Sequence, residues 1–483
     1  MTTTTKHNCI YKTRVDQLES EVVRLNAELD NQKRHRFGKK SERMPSPREA
    51  MGRPSRSSAR EESAESRERH AALRDTVATE EVEHRVTPTD KDCPKCGGRE
   101  FSKVGRGKIS EIYDYIPGRL VKRIHIREVM ACSCGDHIVT AEGPPKVIDS
   151  TRYGPSMMAF VAVSKCADCI PVYRLEKGFS RAGVPMARST MNTLLHRTAE
   201  ILAPISKRLL ERAAACEIVQ ADETRLRVLT KKKGDKGYIW TFLGHDDSEN
   251  ADFVAYRYSD GRGGSTAAEV LGTSGGTLVV DAYSGYNRVT TPEGRQRAGC
   301  LAHVRRKFFE ATSTAPDDAQ AAMNTILELY KIEARAKKEG IVGTKHHLEL
   351  RQSKSRETLN RFHPWLLEKQ GLHPPKSPMG KAIYYTLAQW ESLNRFTEDA
   401  RIPVDNNAAE RALRVVALGR KNYLFAGTDQ SAANLAGLYS IISTCEAGGV
   451  NPIDYIEDLL LRTATHSASK LDELLPHRWQ PES

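Results

Sequence analysis

Between residues 216 and 283 the apolar pattern changes from helical to extended, and this limits the fold more than any other feature of the chain. EIVQAD (217–222), GYIWTFLG (237–244) and DFVAYRYS (252–259) read as strands separated by polar turns. GSTAAEVL (264–271) reads as a short helix, and GTLVVDAY (276–283) as a buried strand. RQRAGCLAH (295–303) is a fifth strand candidate. Three strands on short turns, then a helix, then a strand build a mixed sheet: a meander followed by a crossover. From 304 to about 400 the pattern is helical, broken around HPPKSP (373–378), and reads as a helical insertion. PVDNNAAERALR then opens a helix with Asp405 or Asn406 as its N-cap. The closing stretch reads as two helices around a Gly-Gly break.

The 483 residues are too many for one ordinary domain. The N-terminal part carries different signals. Val15, Leu18, Val22, Leu25 and Leu29 form a short heptad seam, which predicts a zipper-like helix, or an ordinary amphipathic one. Residues 33–60 hold ten basic residues against Glu42 and Glu49, most of the chain's net charge of +12. Such a block suits polyanions, with Arg34, Arg36, Lys39, Lys40 and Arg43 as candidate DNA contacts; a solvated linker is the alternative. Residues 15–43 thus read as a leucine-zipper-like helix with a basic tail, and 44–85 as a polar linker.

Residues 86–140 read as a small module with Cys93 and Cys96 at one end and Cys132 and Cys134 at the other. Two thiolate pairs suit tetrahedral Zn²⁺. The second pair has one intervening residue, so His137 is a reserve ligand, and four reduced cysteines without metal are the plain alternative. Cys166 and Cys169 sit in apolar, helical surroundings and read as core cysteines. Residues 150–215 are helical, with a helix, Gly turn and helix that fit either DNA docking or plain packing. No apolar run reaches the eighteen or so residues of a membrane helix, and no secretory h-region is present. A cytoplasmic, nucleoid-associated protein with no membrane partner is expected.

Three acids carry the chemistry. Asp222 ends the first core strand, Asp281 the fourth, and Glu410 lies one turn into the late helix. If the first and fourth strands are neighbours, their carboxylates converge, and a helix over that edge adds the third. Such a set binds hard cations, Mg²⁺ or Mn²⁺, and two ions about 3.5–4 Å apart can clamp both oxygens of a phosphoryl displacement. Glu223 would point to the opposite face. His303 reads as structural, with approach to a scissile phosphate as its other use. Arg414, four residues on, can pair with Glu410 on one helix face or meet a DNA phosphate; Arg420 and Lys421 are further DNA-contact candidates.

The whole resembles the DDE transposases of the insertion sequence 66 family (TnpC-type). VVRLNAELDNQKRHRFGKKSER is similar to that family's zipper segment, and CPKCGG with CSCG to its zinc module. ADET (221–224), VVDAYSGYN (279–287) and LAHVRRKFFEA (301–311) resemble its catalytic core; DNNAAERALRVVALGRKNYLFAG (405–427) is the most specific block. The resemblance implies a multidomain α/β chain. Its ribonuclease H-like mixed-sheet core would span 216–427, carry the helical insertion at about 304–400 and be followed by a C-terminal helical segment, 428–483. It implies Asp222, Asp281 and Glu410 as catalytic, metal-binding residues, with structural Zn²⁺ on the four cysteines. It further implies cleavage of double-stranded DNA at transposon ends and strand transfer into target DNA, by a homo-oligomer with possible accessory proteins of the same element. The competing expectation is a non-catalytic, zinc-containing DNA-binding regulator; a nuclease without strand transfer is a third.

Overall fold

Proline and side-chain oxygens open many of the helices, and alternating burial marks the strands. In this computed structural model the described residues are 21–22, 123–131, 138–141, 147–148, 151–183, 186–229, 237–272, 274–463 and 465–481. Apart from Glu21 and Val22, both helical, the zipper with its basic tail and the polar linker lie outside them, as do Cys93, Cys96, Cys132 and Cys134. Strands β1 (Val129–Ala131) and β2 (Ile138–Thr140) pair antiparallel on either side of the stretch that carries the second cysteine pair.

Among the described residues, four helices directly precede the main sheet: α1 (Pro155–Cys166), α2 (Val172–Arg181), α3 (Arg188–Ile201) and α4 (Ala203–Ala215). Proline lies in the first turn of α1 and α4, where its missing N–H removes nothing from the helix. Then β3 (Ile218–Leu226), β4 (Gly237–Asp246) and β5 (Ala251–Ser259) form an antiparallel meander. After α5 (Ser265–Leu271), β6 (Thr277–Val279) runs parallel to β3, and β7 (Gln296–Ala298) parallel to β6. The order is β5-β4-β3-β6-β7, so the first and fourth core strands are neighbours. This five-stranded mixed sheet is consistent with a ribonuclease H-like core.

Two boundaries differ from the sequence reading. β3 does not stop at Asp222: Glu223, Thr224, Arg225 and Leu226 continue the ladder opposite Trp240, Ile239, Tyr238 and Gly237. The long partner strand supplies backbone pairing that the polar side chains conceal. The fifth strand is only three residues long, because β6 offers no partner beyond Val279, and the chain turns into helix at Leu301.

That helix, α6 (Leu301–Ala311), opens the insertion. It is followed by α7 (Pro316–Lys338), α8 (Lys345–Leu350) with a π-turn at Arg351–Ser355, α9 (Arg356–Leu372), α10 (Pro378–Ala388) and α11 (Trp390–Asn394). The break between α9 and α10 is closed by Ser377, whose hydroxyl accepts the Gly380 N–H at 3.0 Å. Val304, Phe308, Ile326, Phe362 and Leu366 give the insertion its own apolar core. The sheet joins it through Val279 and Ala298, while Leu278 and Val280 face the main core with Trp240 and Phe242. Strand alternation thus assigns successive residues of β6 to two different cores. Arg351, fully enclosed, grips both Glu333 oxygens and the carbonyls of Phe396, Asp399 and Ile402.

The chain returns through α12 (Asn407–Tyr423), α13 (Asp429–Ala447) and α14 (Pro452–Arg462). α13 lies along the free edge of β5. Ser440 and Thr444, one turn apart, receive the N–H groups of Tyr256 (2.7 Å) and Val254 (3.1 Å); Thr444 donates back to the Val254 carbonyl at 3.1 Å, while the Ser440 hydroxyl lies 3.0 Å from the Ala436 carbonyl of its own helix and 3.4 Å from that of Tyr256. Helix hydroxyls therefore take the place of a sixth strand and close an edge that would otherwise be open to pairing. Cys166 and Cys169 are buried and free, as core cysteines should be.

Candidate active site

Asp222 lies in the middle of β3, and Asp281 two residues past the end of β6. Gln220 is registered with Val279, so two further steps along both strands bring Asp222 level with Asp281. Parallel neighbours stand about 4.8 Å apart, which makes these two carboxylates adjacent by topology alone. Burial first, and then the charges of Glu223, Glu410 and Asp281, push the Asp222 carboxyl up to about 7 against a single opposing backbone N–H, that of Glu223 at 2.8 Å. Asp281 accepts the N–H of Tyr283 at 2.9 Å, which folds the following loop back on itself.

Glu410 comes from the first turn of α12. Its carboxylate lies 3.7 Å from both the His303 imidazole and the Arg306 guanidinium, and the same His303 nitrogen lies 4.0 Å from Asp281. His303, in the first turn of α6 rather than after a strand, stands between the two acids. Burial and then Arg306 hold it below the usual histidine range, and its Nδ1 has no partner.

The start of α12 is anchored by its two preceding residues. Asp405 accepts the backbone N–H of Asn407 (3.0 Å) and the phenol of Tyr330 (2.8 Å), so it caps the first turn. Asn406, 2% exposed, does not cap at all. Its amide donates to the carbonyl of Ala221 at 2.8 Å, the residue before Asp222, and its backbone N–H meets the Cys300 sulfur at 3.2 Å. One asparagine thereby ties the Glu410 helix to the Asp222 strand.

Glu223 is held on the other side. Arg262 grips one of its oxygens, and the phenol of Tyr286 donates to the other at 2.8 Å. Arg262 also stacks 4.0 Å from the centre of the Tyr283 ring. Tyr283 and Tyr286 both belong to the loop after Asp281, so this group braces that loop. A Cβ at Gly285 would run into the Tyr283 ring, which explains the glycine between the two tyrosines.

Family comparisons agree with this architecture along most of the chain. Residues 150–434 match the family described as Transposase IS66 family, 90–135 the zinc-finger binding domain of transposase IS66, and 440–477 the IS66 C-terminal element. The chain belongs to the IS66 transposase family. Similar proteins include y4qI of Sinorhizobium fredii, 33% identical over 423 residues, covering 84% of this chain and 76% of the relative. Another is y4jD of the same organism, 30% identical over 412 residues, covering 82% and 80%. Both relatives carry the description of uncharacterized protein.

In this IS66 family member the IS66 C-terminal element supplies the hydroxyls that close the β5 edge. The cationic residues expected near Glu410 divide. Arg414 and Lys421 are exposed, and Glu410 is approached by His303 and Arg306 rather than by Arg414. Arg420 is spent on the Thr224 hydroxyl and the Arg225 carbonyl, both at 2.7 Å, and fastens the far end of α12 to β3. The basic-tail candidates Arg34, Arg36, Lys39, Lys40 and Arg43 lie outside the described residues. Among the described residues, no group of three or more His, Cys, Asp or Glu side chains closes on a common point as a metal cluster. No helix among them is long and apolar enough to cross a membrane.

Three residues that matter here are not evident from sequence patterns. Asn406 looks like a second capping residue. Arg262 sits in a Gly-rich turn. Arg295 looks like any surface arginine, yet its buried guanidinium binds the carbonyls of Ala214, Cys216, Glu217 and Thr277, joining α4, β3 and β6. A doubled Asn after Asp405, where a helix start needs one cap, was the available signal for Asn406.

Proposed function

We propose that this chain is a metal-dependent DNA transposase that cuts DNA at the ends of its element and joins the freed ends to target DNA. What supports this reading is that Asp222 and Asp281 stand level on adjacent parallel strands, and that Asp281 and Glu410 flank the same His303 nitrogen at 4.0 and 3.7 Å. The donor set suits the role: three carboxylate oxygens favour Mg²⁺ or Mn²⁺, and the buried Asp222 has no basic partner among the described residues. Asp222, Asp281 and Glu410 would hold the cation. When bound, it polarises the scissile phosphate and lowers the pKa of the attacking hydroxyl.

The chain's own groups do the rest. Asn406 fixes the spacing between Glu410 and Asp222. The Glu223–Arg262–Tyr286 group keeps the Asp281 loop from collapsing into the site. In the first step a water oxygen bonds to phosphorus, the phosphorus–3′-oxygen bond breaks, and a 3′-hydroxyl is released. In the second, that hydroxyl attacks a target phosphate and displaces the target's own 3′-oxygen. Cys93, Cys96, Cys132 and Cys134 would hold a structural Zn²⁺. The seam at Val15–Leu29 supports self-association, and the basic tail supports salt-dependent phosphate contact.

The test is cleavage and joining of labelled terminal DNA by the full chain with Mg²⁺ or Mn²⁺. Glu410→Gln should abolish both steps with folding and DNA binding intact. Asp405→Asn, which can still cap, should retain substantial activity. A dead Asp405→Asn beside an active Glu410→Gln would move the third ligand to Asp405. A wild-type chain that binds ends but never cuts them would leave a DNA-binding regulator.

A further inference from the structure

The C-terminal end of α12 carries an arrangement that the fold does not need. Arg411, Arg414, Leu418 and Lys421 are exposed at spacings of three, four and three, while Leu413, Val416 and Gly419 face the core. They form one stripe running from the Glu410 end of the helix, about 15 Å long at 1.5 Å per residue, or roughly four base steps at 3.4 Å each. The stripe ends in an apolar tip: Leu424 is 62% exposed and Phe425 39%.

Leu424 has φ +67° and ψ −35°, and the Phe425 N–H bonds the Tyr423 carbonyl at 2.8 Å. This is a γ-turn of the positive-φ kind, the rare and strained form, on a residue with a Cβ. It is held from every side. Asn422 donates to the Cys169 carbonyl at 2.9 Å, itself at a left-handed residue (φ +55°). The Tyr423 phenol meets that of Tyr439 at 2.6 Å, and the buried Lys165 ammonium lies 3.4 Å from the Tyr423 ring centre. Past the turn, Ala426 pairs with Arg227 and Leu229 of the β3 extension. A Cβ at Gly419 would fall 2.6 Å from the Tyr423 ring, so glycine makes room for it.

A rigid frame thus presents two apolar side chains to solvent at the expense of backbone strain. Strain of this kind persists where a function needs it. Arg225, Arg227 and Lys421 are exposed around the tip; of the acids, Asp429 is bonded by the Tyr258 phenol and Asp168 is exposed beside Cys169, so cations outnumber them there. The fitting ligand is a polyanion with an apolar interior. We propose that Leu424 and Phe425 form a wedge that enters a base step of bound DNA, while the basic stripe of α12 follows the backbone from the acids to that step. Apolar wedges of this type unstack a step and kink the duplex. The inference rests on the transposase reading and adds a fixed contact some four steps from the cut.

The test uses the full chain without added Mg²⁺ or Mn²⁺ and two 30-base-pair duplexes of one sequence, intact and with a central two-nucleotide bulge beside 2-aminopurine. An already opened step spares the unstacking, so the wild type should bind the bulged duplex about tenfold tighter and brighten the probe. Leu424→Gly keeps the turn without strain and should cut that ratio several-fold; the double variant with Phe425→Ala should bring it to about one, with an unchanged salt slope. Arg414→Ala with Lys421→Ala should do the reverse, weakening both duplexes alike and flattening the slope. An unchanged ratio in the double variant overturns the wedge, as does a wild type with no preference. A variant that changes self-association but not the ratio also overturns it and makes the tip a protein contact. A wild type that prefers the bulge yet never cuts DNA with Mg²⁺ leaves the wedge standing and removes the transposase reading.

Discussion

Asp222→Asn should stabilise the metal-free protein while destroying its activity. The Asp222 carboxyl titrates at about 7 in the folded chain against 3.8 for the free side chain. An acid whose pKa rises on folding disfavours the folded state wherever the unfolded chain has already lost the proton. The penalty is absent below about pH 4, grows between pH 4 and 7, and is complete above 7. A shift of about three units at about 1.36 kcal/mol each sets a ceiling of about 4 kcal/mol. The Asn amide needs a partner of its own, so about 2 kcal/mol is the expected net gain at pH 8. Guanidinium unfolding of wild type and variant, without divalent cations, at pH 4.5 and pH 8 measures it. The variant's advantage should be small at pH 4.5 and large at pH 8. Adding Mg²⁺ at pH 8 should then stabilise the wild type and leave the variant little changed, because the cation binds the folded state through this carboxylate. Identical pH dependence in both proteins would refute the reasoning, since Asp222 would then carry its charge without burial or crowding by Asp281 and Glu410.

Three further outcomes follow from the packing. Asn406→Ala should lower stability by about 1–2 kcal/mol by orphaning the Ala221 carbonyl, and should reduce DNA cleavage about a hundredfold by loosening Glu410, as thermal melts and cleavage rates would show. Arg295→Met should destabilise the sheet by about 3 kcal/mol, because the carbonyls of Ala214, Cys216 and Thr277 lose the guanidinium they share, and that of Glu217 keeps only the Thr277 N–H; normal hydrogen-exchange protection in β3 and β6 would contradict it. The purified full chain should contain one zinc per chain by elemental analysis, lost on Cys93→Ser with Cys96→Ser; an unchanged zinc content would exclude that pair.

The placing of β3 beside β6 was legible because apolar runs, short turns and one crossover leave few sheet orders open. The same reasoning stopped β3 at Asp222, since Glu223, Thr224 and Arg225 look like a turn when read as side chains. Their strand state comes from β4, a long-range partner, and from the Arg262 and Tyr286 contacts that settle Glu223. The fifth strand candidate extends to His303 because GCLAH is apolar enough for a strand; the short β6 ends the ladder first. Asp405 as a cap was legible because capping is local. The Asn406 bond to Ala221 spans 185 residues and leaves no local trace.

The insertion enters at Leu301 and leaves at Val404, and the Leu301 N–H bonds the Val404 carbonyl at 3.0 Å. Its two ends are a single hydrogen bond apart. Closing a longer or shorter excursion between fixed neighbouring points changes the chain entropy only logarithmically with length. The three acids therefore feel the length of the insertion little and feel mainly the residues that touch their frame, His303 and Arg306 beside Glu410 and Tyr330 on Asp405. Outer segments that carry none of these contacts can be lengthened or trimmed during evolution at little cost to the placing of Asp222, Asp281 and Glu410. In chain closure alone the intervening hundred or so residues begin and end like one tight turn, so an exposed outer loop of the insertion is the natural place to graft a foreign domain.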